Sequence, residues 1–189
     1  MKDDERNITM LNARYNAKEM ATLGILSAIG IVLGLWIMIP LIPSAPFLKY
    51  DPADVPIFLG SLMFGPLAGV MMTIVVSFAH SLFEGVSGIS GFIMHVAATG
   101  AAAFVIGAIY RARRTRTGSI IAIVCGALAM TVLMIPLNLI VTPIFMGAPR
   151  AAVIDLLLPA IIPFNLLKAG INGILALTLY YALVGAKVI

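Results

Sequence analysis

Lys168 is a charge isolated in an otherwise uncharged run, Leu156 to Ala186, of a 189-residue chain. An ammonium at mid-bilayer costs about 2.5–3.5 kcal/mol on insertion scales, so it has to face the protein interior and find a partner there. Asn165 and Asn172 stand three residues before and four after it, which puts all three on one helix face. Asn138 and Thr142, four residues apart, form a second polar face on the preceding helix. Asn138 precedes Arg150 by 12 residues, while Asn165 and Lys168 follow Asp155 by 10 and 13. At about 1.5 Å per residue the two faces converge at similar depth, in the outer half of a membrane. Amides donate and accept alike, so amides with one cation suit a mostly neutral, flat, carbonyl-rich ligand. A multiply charged ligand would call for several arginines in the outer half, and these are absent.

The segment Phe47-Leu48-Lys49-Tyr50-Asp51-Pro52-Ala53-Asp54-Val55-Pro56 precedes the next apolar run on the same side. Its prolines stiffen it, and Asp51 or Asp54 is placed to cap the following helix. This loop can close over whatever binds beside Lys168. Each feature also has a purely structural reading. The asparagines can be interhelical hydrogen-bond glue, Lys168 can pair with Asp51, Asp54 or Asp155, and Trp36 and Tyr50 can be interfacial aromatics. His80, Glu84 and His95 invite comparison with a metal-dependent intramembrane enzyme. With no H-E-x-x-H, G-x-S-x-G, phosphate-loop lysine or C-x-x-C, histidines satisfied by hydrogen bonds are the better reading and catalysis is unsupported.

The elements that hold these residues must be membrane helices. The chain is 61% hydrophobic and 11% charged, with a mean hydropathy of +1.10, against about a quarter charged residues in soluble domains. That excludes a soluble enzyme, a disordered chain and, with Cys125 alone, a disulfide scaffold. The formal charge is +4, but the cations cluster as orientation signals rather than as a nucleic-acid surface. Uncharged runs span Met20–Leu41, Val55–Phe83, Gly85–Tyr110, Thr117–Pro149 and Leu156–Ala186. Read as one kinked helix, Val55–Phe83 would put the basic tail and the Arg111–Arg116 cluster on opposite sides. Read as two short helices turning at Gly65-Pro66, it gives six crossings and puts nine of the twelve cations inside: Lys2, Arg6, Arg14, Lys18, Arg111, Arg113, Arg114, Arg116 and Lys187. Lys49 and Arg150 are then outside and Lys168 is buried. Twenty-nine residues hardly supply two full spans, so one helix must be short or begin within Tyr50–Asp54. Broken spans border protein or a cavity, which points to a binding site. The expectation is an all-α integral membrane protein: a cytoplasmic polar tail over 1–19 and a six-helix bundle over 20–189, both termini cytoplasmic. Small residues Ala17, Ala21, Gly24 and Ala28 line the first helix, as do Gly30 and Gly34; they pack either within the protein or against a partner helix.

Together the Leu48–Pro56 loop, the Phe64-Gly65-Pro66 turn, Asn138 and Asn165-x-x-Lys168 resemble the riboflavin-specific S component of energy-coupling factor (ECF) transporters, over nearly the whole chain from Ala17 to Ala186. The resemblance implies high-affinity capture of riboflavin outside the cell membrane, with no cofactor. It implies uptake driven through a transmembrane coupling protein and two cytoplasmic ATPases. The substrate residues implied are Leu48, Lys49, Tyr50 and Asp51 of a gating loop with Asn138, Thr142, Asn165 and Lys168. Ala17, Ala21, Gly24 and Ala28 are implied to contact the coupling protein. The chemistry of the residues agrees: an isoalloxazine edge carries two carbonyls and an N–H that amides match, and apolar walls take its dimethylbenzene end. The chain has no ATP-binding motif, so energy comes from partners or from an ion gradient. A stand-alone secondary transporter for a vitamin-like molecule remains the alternative, ahead of the intramembrane enzyme.

Overall fold

The computed structural model describes residues 15–83, 88–147 and 149–188; Lys2, Arg6, Arg14 and Glu84 lie outside the described residues. Helix α1 (Ala17–Trp36) begins ahead of the expected Met20 because Asn16 and Glu19 form a reciprocal capping box. The Asn16 side chain accepts from Glu19 N–H at 2.9 Å and the Glu19 carboxylate from Asn16 N–H at 2.8 Å, satisfying two of the free donors of a first turn. A short antiparallel ribbon follows, β1 (Ile39–Pro40) with β2 (Lys49–Tyr50), pairing Ile39 with Tyr50 and Pro40 with Lys49. Then come α2 (Asp54–Phe64), α3 (Pro66–Phe83), α4 (Gly88–Ala112) and α5 (Arg116–Met146). The last helix, α6 (Arg150–Gly185), is continuous but contains a π-helical turn at Leu157–Ile161.

Five of these helices are long and apolar enough to cross a membrane, whereas α2 has 11 residues. The Val55–Phe83 run does divide into two helices, and Gly65 is the reason. Its φ of 93° is a conformation side chains rarely adopt, and it turns α2 back along α3. Gly69 faces Ser61 and Gly60 faces Met72, the pairing of an antiparallel hairpin. The Gly107 backbone of α4 lies directly against Pro66, where an added Cβ would sit 2.5–2.7 Å from the Gly65 and Pro66 backbones.

Side chains at the helix ends show how the crossings alternate. Tyr15, Glu19, Gly65, Arg111 and Arg114 surround one cavity of about 260 Å³. The Tyr110 hydroxyl donates to Tyr180 at 3.0 Å, and Ser119 bonds Tyr181 at 2.8 Å. The start of α1, the α2–α3 turn, the basic α4–α5 loop and the end of α6 therefore share one end of the bundle. Large apolar side chains such as Ile25, Val32, Phe78 and Ile174 face outward. Small ones, among them Ala98, Ala102, Ala103 and Ala176, fill the interior, as close packing in lipid requires. Buried Ser61, Thr73, Ser77 and Thr131 return their hydroxyl protons to the carbonyl four residues back.

Two outcomes are expected. Gly107→Val should destabilise the isolated protein by about 1–3 kcal/mol through overpacking, while Gly24→Val, where an added Cβ meets nothing within 4 Å, should leave its melting temperature nearly unchanged. In sealed vesicles of a Cys125→Ser background, cysteines at Thr115 and Val188 should react with an impermeant maleimide from one side and a cysteine at Ser44 from the other.

Candidate substrate-binding site

The eleven residues of α2 rise about 16 Å at 1.5 Å each, roughly half of a 30 Å hydrocarbon core. The chain before Asp54 must complete that crossing as loop, and its backbone needs partners inside the protein. The polar face of α6 supplies them. Lys168 Nζ lies 2.7 Å from Asp51 Oδ2 and 3.8 Å from Asp54 Oδ2. Asn172 Nδ2 donates to the Asp51 carbonyl at 3.0 Å, and its Oδ1 accepts from the Tyr50 hydroxyl at 2.8 Å. Of the structural readings weighed for Lys168, the pair with Asp51 and Asp54 is the one present, and Asp155 is exposed.

Neither aspartate caps α2, contrary to the expectation. The N-cap is Ala53, without a side-chain bond. Asp51 Oδ1 instead accepts from Ala53 N–H at 3.1 Å, and Asp54, fully buried, turns into the bundle. There Asp54 Oδ1 meets His95 Nε2 at 3.0 Å and Thr99 Oγ1 at 3.2 Å, and Oδ2 meets Asn172 Nδ2 at 3.4 Å. His95 Nδ1 lies 2.6 Å from Ser77 Oγ. Reading the sequence missed this Asp54–His95–Ser77–Thr99 cluster. Its one available signal was a carboxylate opening a helix too short to reach the surface.

A cavity of about 600 Å³ lies under the loop, within the usual range for small-molecule sites. Leu48, Lys49 and Asp51 of the loop line it, with Gly34 from α1, Met38 just after it, His80 from α3, Gly91 and Met94 from α4 and Thr142 from α5. Thr142 donates to Asn138 Oδ1 at 2.9 Å, and Asn138 Nδ2 donates to the Met134 carbonyl at 2.8 Å. Asn165 Nδ2 donates to the Ile161 carbonyl at 2.7 Å, in the π-helical turn, while its buried Oδ1 has no hydrogen-bond partner among the described residues. Of the residues expected to bind substrate, Leu48, Lys49, Asp51 and Thr142 are on the cavity wall. Lys168, Asn165, Asn138 and Tyr50 are buried and off it, Lys168 being held through Asp51. His80 Nε2 donates to the Ile31 carbonyl, 3.2 Å away, and the ring also lines the cavity. Glu84 lies outside the described residues, and among these no group of His, Cys, Asp and Glu could hold a metal.

The small residues of α1 divide by face. Gly30 packs on Pro56 and Val76, and Gly34 on His80. Ala17, Ala21, Gly24 and Ala28 are exposed, beside an apolar groove of about 260 Å³ that includes Leu23, Met71 and Val75.

The family model for the ECF transporter substrate-specific component matches residues 18–180. The riboflavin transporter RibU of Staphylococcus aureus is 31% identical over 180 residues, covering 90% of this chain and 92% of the relative. The riboflavin transporter RibU of Streptococcus thermophilus is 30% identical over 186 residues, covering 94% and 85%. A solved structure described as the S component of a bacterial ECF transporter superposes with a TM-score of 0.77 at 31% identity, over 90% of this chain and 97% of that one. Sequence and fold thus match over nearly the whole chain, and the protein belongs to the substrate-specific components of ECF transporters.

Proposed function

We propose that this multi-pass membrane protein captures riboflavin from outside the cell and presents it for ATP-driven uptake, acting as a transporter component and not as an enzyme. The observation that carries the reading is that Lys168 and Asn172, on the polar face they share with Asn165, hold Asp51 of the loop that walls the 600 Å³ cavity. An orphaned amide oxygen on Asn165 awaits a donor, and a flavin N–H supplies one. Lys168 exchanges Asp51 for a ring carbonyl or nitrogen, Asn138 and Thr142 complete the polar edge, and Leu48, Lys49, Tyr50 and Asp51 close over the ligand.

The orientation proposed has both termini and the Arg111–Arg116 loop in the cytoplasm, as the positive-inside bias favours. The substrate cavity then opens outward. The partners proposed are a transmembrane coupling protein, docking on the exposed Ala17, Ala21, Gly24 and Ala28 stripe, and two cytoplasmic ATPases. Close backbone approach at small residues is how helices associate in lipid, and the split of α1 into a packed glycine face and an open stripe leaves room for it.

Purified protein should be yellow and carry a flavin absorption spectrum. Lys168→Ala should weaken riboflavin binding by about 1.5–3 kcal/mol, the range for a hydrogen bond to a charged group, or roughly 10- to 150-fold in Kd. Unchanged affinity in both Lys168→Ala and Asn165→Ala rejects the site. Vesicles holding this chain alone should bind riboflavin but not accumulate it. Co-expression of coupling protein and ATPases should restore uptake, and Trp at Ala21 and Gly24 should abolish uptake and co-purification while sparing binding. Normal assembly with both tryptophans in place refutes the docking face.

A further inference from the structure

The end of the bundle opposite the substrate cavity holds a second cavity, of about 260 Å³. Tyr15 and Glu19 at the start of α1 border it, with Gly65 of the α2–α3 turn, Tyr110 and Arg111 of α4, and Arg114 just beyond α4. Gly107 brings α4 so close to that turn that an added Cβ would sit 2.5 Å from the Pro66 nitrogen. Tyr110 and Arg111 follow Gly107 by three and four residues and share its face of the helix. The Arg111 stem therefore lies over the turn, its Cδ 4.0 Å from where a Cβ on Gly65 would stand.

Charge, size and depth define what fits. Two guanidiniums and one carboxylate border the cavity, a net +1 that a single monoanion neutralises. The Glu19 carboxylate is turned to Asn16 N–H at 2.8 Å, and among the described residues neither Arg111 nor Arg114 is in a salt bridge. Guanidinium forks match phosphate oxygens in pairs. Sites that enclose a whole drug-sized molecule measure about 300–1,000 Å³, so this smaller cavity takes a fragment, and a nucleotide is both too large and too highly charged. Four of the five tyrosines gather here: Tyr15 and Tyr110 on the wall, Tyr180 edge-on to Tyr110, and Tyr181 edge-on to Tyr180, both pairs at 5.4 Å between centroids. Tyrosine rings settle at the level of lipid headgroups, which puts the two arginines at phosphate depth. Half-buried Met63 and Phe64, at the end of α2, form the apolar side of the cavity, where an acyl chain can leave.

We infer that this cavity binds the headgroup of one anionic phospholipid, its phosphodiester held between Arg111 and Arg114. Basic pockets between membrane helices are where such headgroups lodge. The headgroup bridges α1, the α2–α3 turn and α4, and by binding only the folded protein it stabilises their packing. The other two arginines of the cluster stand apart from the site. Arg116 lies over the Tyr181 ring, 5.7 Å from its centroid, and Arg113 is exposed; neither borders the cavity. The two pairs carry equal charge a few residues apart, so they separate a built site from a basic surface.

The test uses the full chain in micelles, titrated with phosphatidylglycerol or with phosphatidylcholine of the same acyl chains, bound lipid being counted by native mass spectrometry. The wild type should retain one phosphatidylglycerol and raise its melting temperature with it, and phosphatidylcholine should do neither. Arg111→Gln with Arg114→Gln should weaken phosphatidylglycerol binding about 30-fold, the loss of two cationic contacts to an anionic lipid. Arg113→Gln with Arg116→Gln should leave it within about twofold of the wild type. Equal weakening by both pairs means attraction to surface charge alone and overturns the site, as does equal retention of the two lipids by the wild type. Displacement of the lipid by millimolar inorganic phosphate assigns the cavity to a soluble anion and overturns the lipid. If the Arg111 and Arg114 pair keeps the lipid but no longer co-purifies with a coupling protein and ATPases, the face is a protein contact and the inference falls. All of these readouts are independent of riboflavin.

Discussion

A helix of eleven residues that must count as a membrane crossing is the constraint from which the rest of the site follows. The missing half of the span is loop, and loop inside a bilayer is tolerated only where protein satisfies its backbone and charges. Asn172 bonds the Asp51 carbonyl, Tyr50 bonds Asn172, and the β1–β2 ribbon pairs what precedes them. Asp51 and Asp54 enter with that loop, and Lys168 on α6 is the ammonium that meets them. Gly65 makes the short helix possible by reversing the chain in a single residue, and Gly107 keeps the space into which that reversal fits.

The same contacts make the loop both closed and openable. A buried ion pair gains Coulomb energy but costs desolvation, and the net is small when geometry is good. Removing one partner leaves the other charge uncompensated, so opening requires a substitute for Asp51 at the Lys168 ammonium. In the function proposed, a flavin carbonyl is such a substitute and so ties loop movement to occupancy of the cavity. The groups that stay behind, Asp54, His95, Thr99 and Ser77, are rooted on three rigid helices. They hold the polar face of α6 in register while the loop moves.

The surface proposed to face a partner is segregated from this machinery. Both glycines of the α1 face turned inward, Gly30 and Gly34, pack against the elements that carry Asp54 and His80. The exposed small residues lie on the other side of the same helix. One helix therefore touches both the cavity proposed for the substrate and the exposed stripe, and in the coupling proposed a movement of α1 would be felt at the Gly34–His80 contact.

The membrane class, the number of helices, the turn at Gly65-Pro66 and the shared helix face of Asn165, Lys168 and Asn172 were legible from residue types alone. Hydrocarbon thickness sets a fixed length for spans, and an unpaired charge in an apolar run has few permissible surroundings. The side of the molecule that each α1 glycine faces was not legible, because Gly24 and Gly30 are equally small and only neighbouring helices distinguish them. Nor was the role of Asp54, which stands where a capping residue is expected and is instead rotated into the core. Its partners His95 and Lys168 lie 41 and 114 residues away in sequence (95 − 54 and 168 − 54). Local spacing carries no information about which distant side chains share a desolvated space. Packing of α2 between α4 and α6 decided that, by making a buried carboxylate collect every donor within reach.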